Sequence, residues 1–226
     1  NPDFLNFLDK NDAVIFVSAD APCRNTSSLR KNILMLENTI SAMNKNISHF
    51  VYISSDAVYK DSKSKINEDS CCQPNSLHGV MHLSREIAIQ NLIDCPICII
   101  RPTLVYGLED PHNGYGPNMF RRLVSENKDI VLFGKGEELR DHIFVDDIAK
   151  LLIEILCFKT IGIINAVSGE VKTFKEIATL TKEFLHKDIN IIETERTGPI
   201  PHDGYRAFDN SKVKHHFQNF KFTSLK

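Results

Sequence analysis

The sequence predicts an α/β protein built on a partial doubly wound parallel sheet, with a smaller lobe formed by the C-terminal residues. Short apolar segments of strand length alternate with longer segments of helical periodicity, which is typical of a parallel sheet covered by helices on both faces. Hydrophobic residues make up 42% of the 226 residues and charged residues 25%, values that are ordinary for a globular protein. A chain of 226 residues is also long enough to bury a sizeable core.

The first half of the chain is predicted to form two strand–helix units and a third strand. Strands are predicted at residues 12–18, 49–54 and 96–101, and helices at residues 27–45 and 76–92. In the first helix Leu29, Ile33 and Leu36 recur at helical spacing. The glycine-rich fingerprint G-x-G-x-x-G, which such sheets carry on the first strand–helix turn, is absent from the sequence. Because the chain also begins without Met, just before a mid-sheet strand, we expect an N-terminal truncation.

The second half is less regular and contains a loop rich in glycine and proline at residues 109–117. Strands are predicted at residues 129–133, 142–145, 162–166 and 189–193, a turn at 134–138, and helices at 118–126, 146–157, 173–186 and 211–217. Thr173 followed by Glu176 predicts a capping box at the start of a helix. We expect residues 1–107 to form one domain and residues 108–226 mainly a second lobe, with residues 142–166 returning to the first.

Composition and charge exclude several classes of partner. The formal net charge is -2 and the basic residues are scattered, which disfavours nucleic acid and anionic membrane surfaces. No apolar run approaches the roughly 20 residues that cross a bilayer. The six cysteines lie mostly in apolar patterns and favour free thiols in a reducing cytoplasm.

Two segments of the first half resemble the active-site region of a known enzyme family. FVYISSDAVY at residues 50–59 is similar to a strand followed by a turn that carries a catalytic Ser or Thr, and Ser55 matches that hydroxyl. PNSLHGVMHLSRE at residues 74–86 is similar to the helix pattern P-x-S-x-Y-G-x-x-K-x-x-x-E. His78 stands where that pattern has its acid/base Tyr, and His82 where it has its Lys.

Two later segments continue the same resemblance in the same order. RPTLVYG at residues 101–107 is similar to the segment that leads into a substrate loop. LFGKGEELRDHIFVDD at residues 132–147 is similar to a strand–turn–strand whose Arg holds a diphosphate. Together the segments resemble the extended short-chain dehydrogenase/reductase proteins of the NAD-dependent epimerase/dehydratase type, which act on nucleotide sugars. The resemblance spans nearly the whole chain and implies a Rossmann-like sheet in residues 1–107.

The resemblance implies roles for individual residues. The catalytic residues would be Ser55, His78 and His82. The cofactor-binding residues would be Ser54, His82, Arg101 and Pro102. The substrate-binding residues would be Asp56, Asn118, Arg140, Arg196 and Arg206. The resemblance further implies NAD or NADP as the cofactor. It implies a nucleotide sugar as the substrate, which we expect to be UDP-linked. It also implies a homodimer formed through the helices at 27–45 and 76–92.

The two histidines leave three interpretations open. His78 and His82 are four residues apart and share one helix face. In the first, they form an acid/base variant of the site, because imidazole accepts protons near neutral pH. In the second, they mark a degenerate site that binds its ligand without turnover. In the third, they form half of a metal site. Metal is disfavoured because no third ligand is evident at a meaningful spacing. Asp56-Ala57 replaces the Asp-Glu pair of 4,6-dehydratases, so the expected function is an NAD(P)-dependent nucleotide-sugar epimerase or reductase, with a non-catalytic sugar-nucleotide-binding homologue as the alternative.

Overall fold

A computed structural model describes residues 8–43, 47–111 and 113–225. The strands are β1 (Ala13–Phe16), β2 (His49–Ile53), β3 (Ile97–Pro102), β4 (Leu104–Tyr106), β5 (Ile130–Leu132), β6 (Leu139–Phe144), β7 (Gly162–Ala166), β8 (Val171–Thr173), β9 (Ile191–Glu193) and β10 (Tyr205–Arg206). The helices are α1 (Thr26–Ala42), α2 (Leu77–Leu92), α3 (Pro117–Ser125), α4 (Val145–Phe158), α5 (Phe174–Phe184) and α6 (Ser211–His216). The strand–helix alternation predicted for the first half is confirmed.

A parallel sheet in the order β1-β2-β3-β7 forms the centre of the fold. Its strands are nearly continuous apolar runs because both faces are covered. Phe50 and Tyr52 point into a core that also contains Leu36 of α1 and Ile89 of α2. Val51, between them, points into the opposite core with side chains of α4 and α6. The predicted doubly wound α/β fold is therefore confirmed.

A second set of strands lies beside this sheet. Strand β6 pairs in parallel with β4 and β10 and antiparallel with β8, while β5 pairs in parallel with β9. Helices α3 and α5 pack together over β5, where Phe120, Ile130 and Phe174 are among the buried side chains. These elements bring residues from 103 to 206 around one cleft.

Several boundaries differ from the sequence predictions. Strand β6 begins at Leu139 rather than at residue 142, and β4, β8 and β10 were not predicted. Two or three residues are too few to show an alternating pattern, and these strands exist because their partners lie far away in the chain. The capping box at Thr173 and Glu176 is confirmed, with each side chain bonded to the other's backbone N–H. The predicted end of the first helix at Lys45 lies outside the described residues.

The six cysteines are free thiols in a range of environments. Cys23 and Cys98 are buried, Cys72 and Cys95 are partly exposed, and Cys157, which ends an apolar helical pattern, is exposed. Within the described residues, no helix combines the length and the apolar character that a membrane span requires.

Candidate active site

The turn after β2 carries the candidate catalytic hydroxyl. Strand β2 is buried, and Ser54 continues it with only 4% of its surface exposed. Ser55 precedes a short 3-10 turn at residues 56–58, and its Oγ accepts a hydrogen bond from the Ala57 N–H at 3.1 Å. Since the turn follows the carboxyl end of a central strand, it lies where open α/β sheets bind ligands.

Helix α2 approaches this turn so closely that only glycine fits at the contact. Ser76 caps the helix by accepting a hydrogen bond from the Gly79 N–H at 3.2 Å. A Cβ added at Gly79 would lie 2.1 Å from the Ala57 carbonyl oxygen. The absence of a side chain at Gly79 therefore lets the helix place its neighbour His78 beside the turn.

His78 and His82 contact each other, as their spacing predicted, but their surroundings differ. The ring centroids are 4.7 Å apart with the rings nearly perpendicular. His78 is half-buried, and its Nδ1 accepts a hydrogen bond from the Cys23 N–H at 3.4 Å. Burial lowers the pKa of His78, and nearby Asp56 partly offsets that change. The ring is therefore neutral at physiological pH.

His82 lies in the core instead of at the surface of the cleft. It is 5% exposed, and its Nδ1 lies 2.7 Å from the Tyr52 hydroxyl. Burial, followed by the proximity of His78 and of Arg85, lowers the pKa of His82 to about 3. Tyr52 was not identified from the sequence, although its position two residues before Ser54 on β2 places it on the face that α2 covers.

A buried ion pair fixes the turn, the helix and β3 relative to one another. Glu86 binds Arg101 through two hydrogen bonds, at 3.0 Å to Nε and 2.6 Å to Nη2. The Ser54 Oγ donates to the same carboxylate at 2.5 Å. We call Ser54, Glu86 and Arg101 the buried triad. Pro102 follows Arg101 at the end of β3 and is paired with Ala166 of β7.

A cleft of about 460 Å³ opens next to the turn and contains three arginines, so we call it the arginine cleft. Its wall includes Asp56, Arg140, Arg196 and Arg206, which the sequence analysis assigned to substrate binding. Strand β6 supplies the first of these arginines, the segment after β9 the second, and β10 the third. The structure therefore brings together four of the five predicted substrate residues.

Arg206 is bound to the turn that carries the candidate catalytic Ser55. Its Nε donates to the Asp56 carboxylate at 2.7 Å, its Nη2 to the Asp56 carbonyl oxygen at 2.5 Å, and its Nη1 to Asp61 at 2.9 Å. His202 adds a further contact to Asp61, at 2.5 Å. Arg206 is only 4% exposed and thus connects β10 firmly to the turn.

Comparison with known proteins decides the family. A sequence model described as the NAD dependent epimerase/dehydratase family matches residues 4–165, which is more than half of the chain. The chain belongs to the NAD dependent epimerase/dehydratase family. The family resemblance derived from the motifs is thereby confirmed.

Individual relatives agree with this assignment. An uncharacterized UDP-glucose epimerase of Bacillus subtilis is 29% identical over 133 residues, which cover 55% of this chain and 40% of that protein. The chain thus spans about two fifths of that curated relative. A UDP-N-acetylglucosamine 4-epimerase of Methanobrevibacter ruminantium, solved with UDP-N-acetylmuramic acid, superposes with a TM-score of 0.85 at 22% identity, covering 98% of this chain and 74% of that one. A UDP-glucuronic acid 4-epimerase of Bacillus cereus, solved with UDP-glucuronic acid and NAD, gives 0.76 at 24% identity, covering 88% and 65%. At these identities the superpositions establish the fold alone.

In this family member, Asn118 lies outside the arginine cleft. Its side chain is 7% exposed, accepts a hydrogen bond from the Gly107 N–H at 3.0 Å and donates to the Val105 carbonyl at 3.4 Å. It borders a second cavity of about 420 Å³, which is also lined by Tyr106 and Phe184. The side chain thus connects α3 to the segment after β4.

Glu138 belongs to the cleft as well, although the motifs did not indicate it. Its carboxylate lies between Arg140 and Arg196, with contacts of 2.7 and 2.9 Å. The only available signal was the acidic pair Glu137–Glu138 just before the assigned Arg140. Within residues 8–43, 47–111 and 113–225, no three His, Cys, Asp or Glu side chains converge as metal ligands would.

Proposed function

We propose that the chain forms the sugar-nucleotide cleft and catalytic turn of an NAD(P)-dependent nucleotide-sugar epimerase, or of a reductase with the same hydride chemistry. The observation that carries the proposal is the arginine cleft, which joins Arg140 and Arg196 to the turn of Ser55 and Asp56. Guanidinium groups bind phosphate oxygens through paired hydrogen bonds. A nucleotide sugar, UDP-linked as in the two structures described above, would place its diphosphate on these arginines and its sugar towards Ser55.

The proposed catalytic groups are Ser55 and His78. The Ser55 hydroxyl would bond to the sugar hydroxyl that reacts, and His78 would accept its proton. The lowered pKa of His78 keeps the ring neutral, which is the form that accepts a proton. The Cys23 N–H donates to Nδ1 of His78 over 3.4 Å, which is long for a hydrogen bond. This contact therefore stabilises the tautomer with its proton on Nε2 only weakly. His82 would position His78 through their ring contact.

The residues first assigned to the cofactor are engaged within the protein. A nicotinamide cofactor, when bound, supplies a reversible hydride acceptor. Ser54 and Arg101 both bind Glu86, and His82 binds Tyr52. Ser54, His82 and Arg101 are each 5% exposed or less, and the Arg101 Nη1, which has no hydrogen-bond partner among the described residues, is itself buried, so these side chains do not fit direct contact with NAD or NADP. We propose instead that they and Pro102 support the sheet edge beside which the cofactor would bind.

Binding experiments on the protein as encoded, with any residues that accompany this chain, test the substrate part of the proposal. Calorimetric titration with UDP should show binding that Arg140→Gln weakens by about tenfold or more, because a charged phosphate contact is lost. Arg30→Gln, on exposed α1, is the matched control and should bind UDP like the parent. No UDP binding by the folded parent protein, or equal binding by Arg140→Gln, would refute the proposed cleft.

Turnover tests the catalytic part. With NAD and UDP-sugars, epimer formation followed by chromatography should be abolished in His78→Phe and retained in His215→Phe, whose histidine is exposed on α6. Binding without turnover in the parent protein would contradict the enzymatic assignment. Activity that appears only in the double variant His78→Tyr, His82→Lys would identify the natural site as degenerate.

A second copy of the chain is the proposed partner, and the cytoplasm is the proposed location. Helices α1 and α2 pack against each other and expose Ile33, Leu34, Val80 and Ile87. An apolar surface of this kind favours association. Sedimentation analysis should give twice the monomer mass, and Ile87→Glu should give the monomer. A monomeric parent protein would refute the dimer.

A further inference from the structure

The arginine cleft already contains an anion, the carboxylate of Glu138. Its Oε2 lies 2.7 Å from Nη2 of Arg140, and its Oε1 lies 2.9 Å from Nη1 of Arg196. Glu138 is 6% exposed and Arg140 is 5% exposed. One carboxylate therefore bridges the two guanidinium groups that the proposed function assigns to a diphosphate.

Other carboxylates of this region are held in a different way. Asp141, the third residue after Glu138, accepts hydrogen bonds from the Ser168 N–H, the Ser168 hydroxyl and the Gly169 N–H, at 2.8 to 3.0 Å. Asp56 also binds an arginine, but Arg206 donates in addition to the Asp56 carbonyl oxygen and to Asp61, so this pair is fixed to the turn. The contacts that the structure shows for Glu138 within the described residues are made to arginine side chains, which are long and can turn towards a ligand.

At the Arg140–Arg196 pair itself, positive charge exceeds the shielded negative charge, while Asp56 and Asp61 are bound to Arg206. Arg140 and Arg196 carry two positive charges, and Glu138 carries one negative charge. Glu137 also contacts Arg196, at 3.3 Å, but its side chain is 45% exposed and its attraction is screened by solvent. A ligand with two anionic groups can pair with each guanidinium separately, whereas a monovalent anion would only replace one negative charge by another.

We propose that Glu138 determines anion specificity in this cleft. In the free protein its carboxylate fills the arginine pair and keeps out monovalent anions, and a ligand with two linked anionic groups, such as a diphosphate, displaces it. The proposal rests on the proposed function for the nature of the ligand. It makes Glu138 a selectivity element rather than a group that contacts the reacting atoms.

Titration with inorganic pyrophosphate tests the proposal at constant ionic strength, in sodium gluconate and in sodium chloride. The parent protein should bind with affinities that agree within about twofold in the two salts, because Glu138 excludes chloride. Glu138→Gln should bind pyrophosphate about tenfold more tightly in gluconate, since no internal anion competes, and should lose that gain in chloride. Glu137→Gln, which removes the neighbouring exposed charge, is the matched control and should change affinity by less than about twofold.

A second variant covers the case in which Glu138→Gln does not fold. Glu138→Asp keeps the charge but is one methylene shorter, so it reaches only one guanidinium and should give an intermediate gain. Unchanged or weaker pyrophosphate binding in gluconate by the folded variants would overturn the proposal and identify Glu138 as a support of the arginines.

Parallel titrations with UDP separate this proposal from the proposed function. If the pyrophosphate result holds while UDP binds no more tightly than pyrophosphate, Glu138 has its proposed role and the nucleotide-sugar assignment fails. If UDP binds tightly to the parent protein and Glu138→Gln gives no gain with either ligand, the proposed function stands and the role of Glu138 is refuted.

Discussion

The buried triad and the arginine cleft both adjoin the turn that carries Ser55, and they use the same pair of chemical groups in opposite ways. In the buried triad, Arg101 and Glu86 are each 3% exposed and bind each other through two hydrogen bonds. In the arginine cleft, Arg140 and Glu138 are similarly shielded, but they line a cavity of about 460 Å³. The difference shows that access to a cavity, rather than the ion pair itself, separates a structural arginine from a candidate binding arginine.

Removing one partner of the buried triad should have the largest effect on stability. Glu86→Ala leaves the Arg101 guanidinium buried without its carboxylate and Ser54 without its acceptor. We expect a loss of about 3–5 kcal/mol in the free energy of unfolding. Urea unfolding measures it, with the exposed helical residue change Glu183→Ala as control. A loss below about 1 kcal/mol would mean that the triad does not hold the turn.

A side chain at Gly79 should disturb the contact between α2 and the turn. The added Cβ would meet the Ala57 carbonyl oxygen at 2.1 Å and the Pro74 side chain at 2.7 Å, so the helix must move. We expect Gly79→Ala to cost about 1–3 kcal/mol. In Gly114→Ala, no atom lies within 4 Å of the added Cβ, so this control variant should keep nearly the stability of the parent protein. Thermal unfolding of both variants measures the difference. Equal stabilities of the two variants would contradict the described contact.

Acid should lower the free energy of unfolding, because some histidines are buried in the neutral form. The pKa of His82 is about 3 in the fold, against about 6.5 in the unfolded chain. As pH falls, the unfolded state therefore binds a proton before the folded state does. The contribution of neutral His82 to the free energy of unfolding is complete above about pH 6.5 and is lost as pH falls towards about 3. The loss is up to about 1.4 kcal/mol per pH unit. His142, whose burial lowers its pKa to about 4, acts in the same direction.

Urea unfolding across this pH range measures the effect. His82→Gln should flatten the pH dependence of the free energy of unfolding, because the titrating group near the turn is removed. His215→Gln, at an exposed position, should leave the dependence as it is. An unchanged slope in His82→Gln would show that His82 is not buried in the neutral form.

An ion pair outside both regions should have the smallest effect. Lys175 and Glu193 are 2.6 Å apart, but their side chains are 56% and 40% exposed. Lys175→Ala should cost less than about 1 kcal/mol, because solvent screens the attraction. A loss as large as that of Glu86→Ala would remove burial as the explanation for the difference between the ion pairs.

The sequence by itself determined the α/β class, the order of the main strands and helices, and the position of the turn that carries the candidate catalytic Ser55. These follow from local properties: apolar runs of strand length, helical spacing, and motifs in which neighbouring residues occur together. A motif named Arg140 as a candidate substrate residue, and the looser C-terminal resemblance named Arg196 and Arg206, although the sequence could not show that Arg206 is bound to Asp56.

Only the tertiary structure decided what each polar group binds. Residues distant in the chain supply the partners: Tyr52 for His82, Glu86 for Arg101, and Arg196 for Glu138. The short strands β4, β8 and β10 depend on the same distant pairings. Burial and the availability of a side chain are properties of the packed chain, because they depend on which segments cover it, and no local pattern records that.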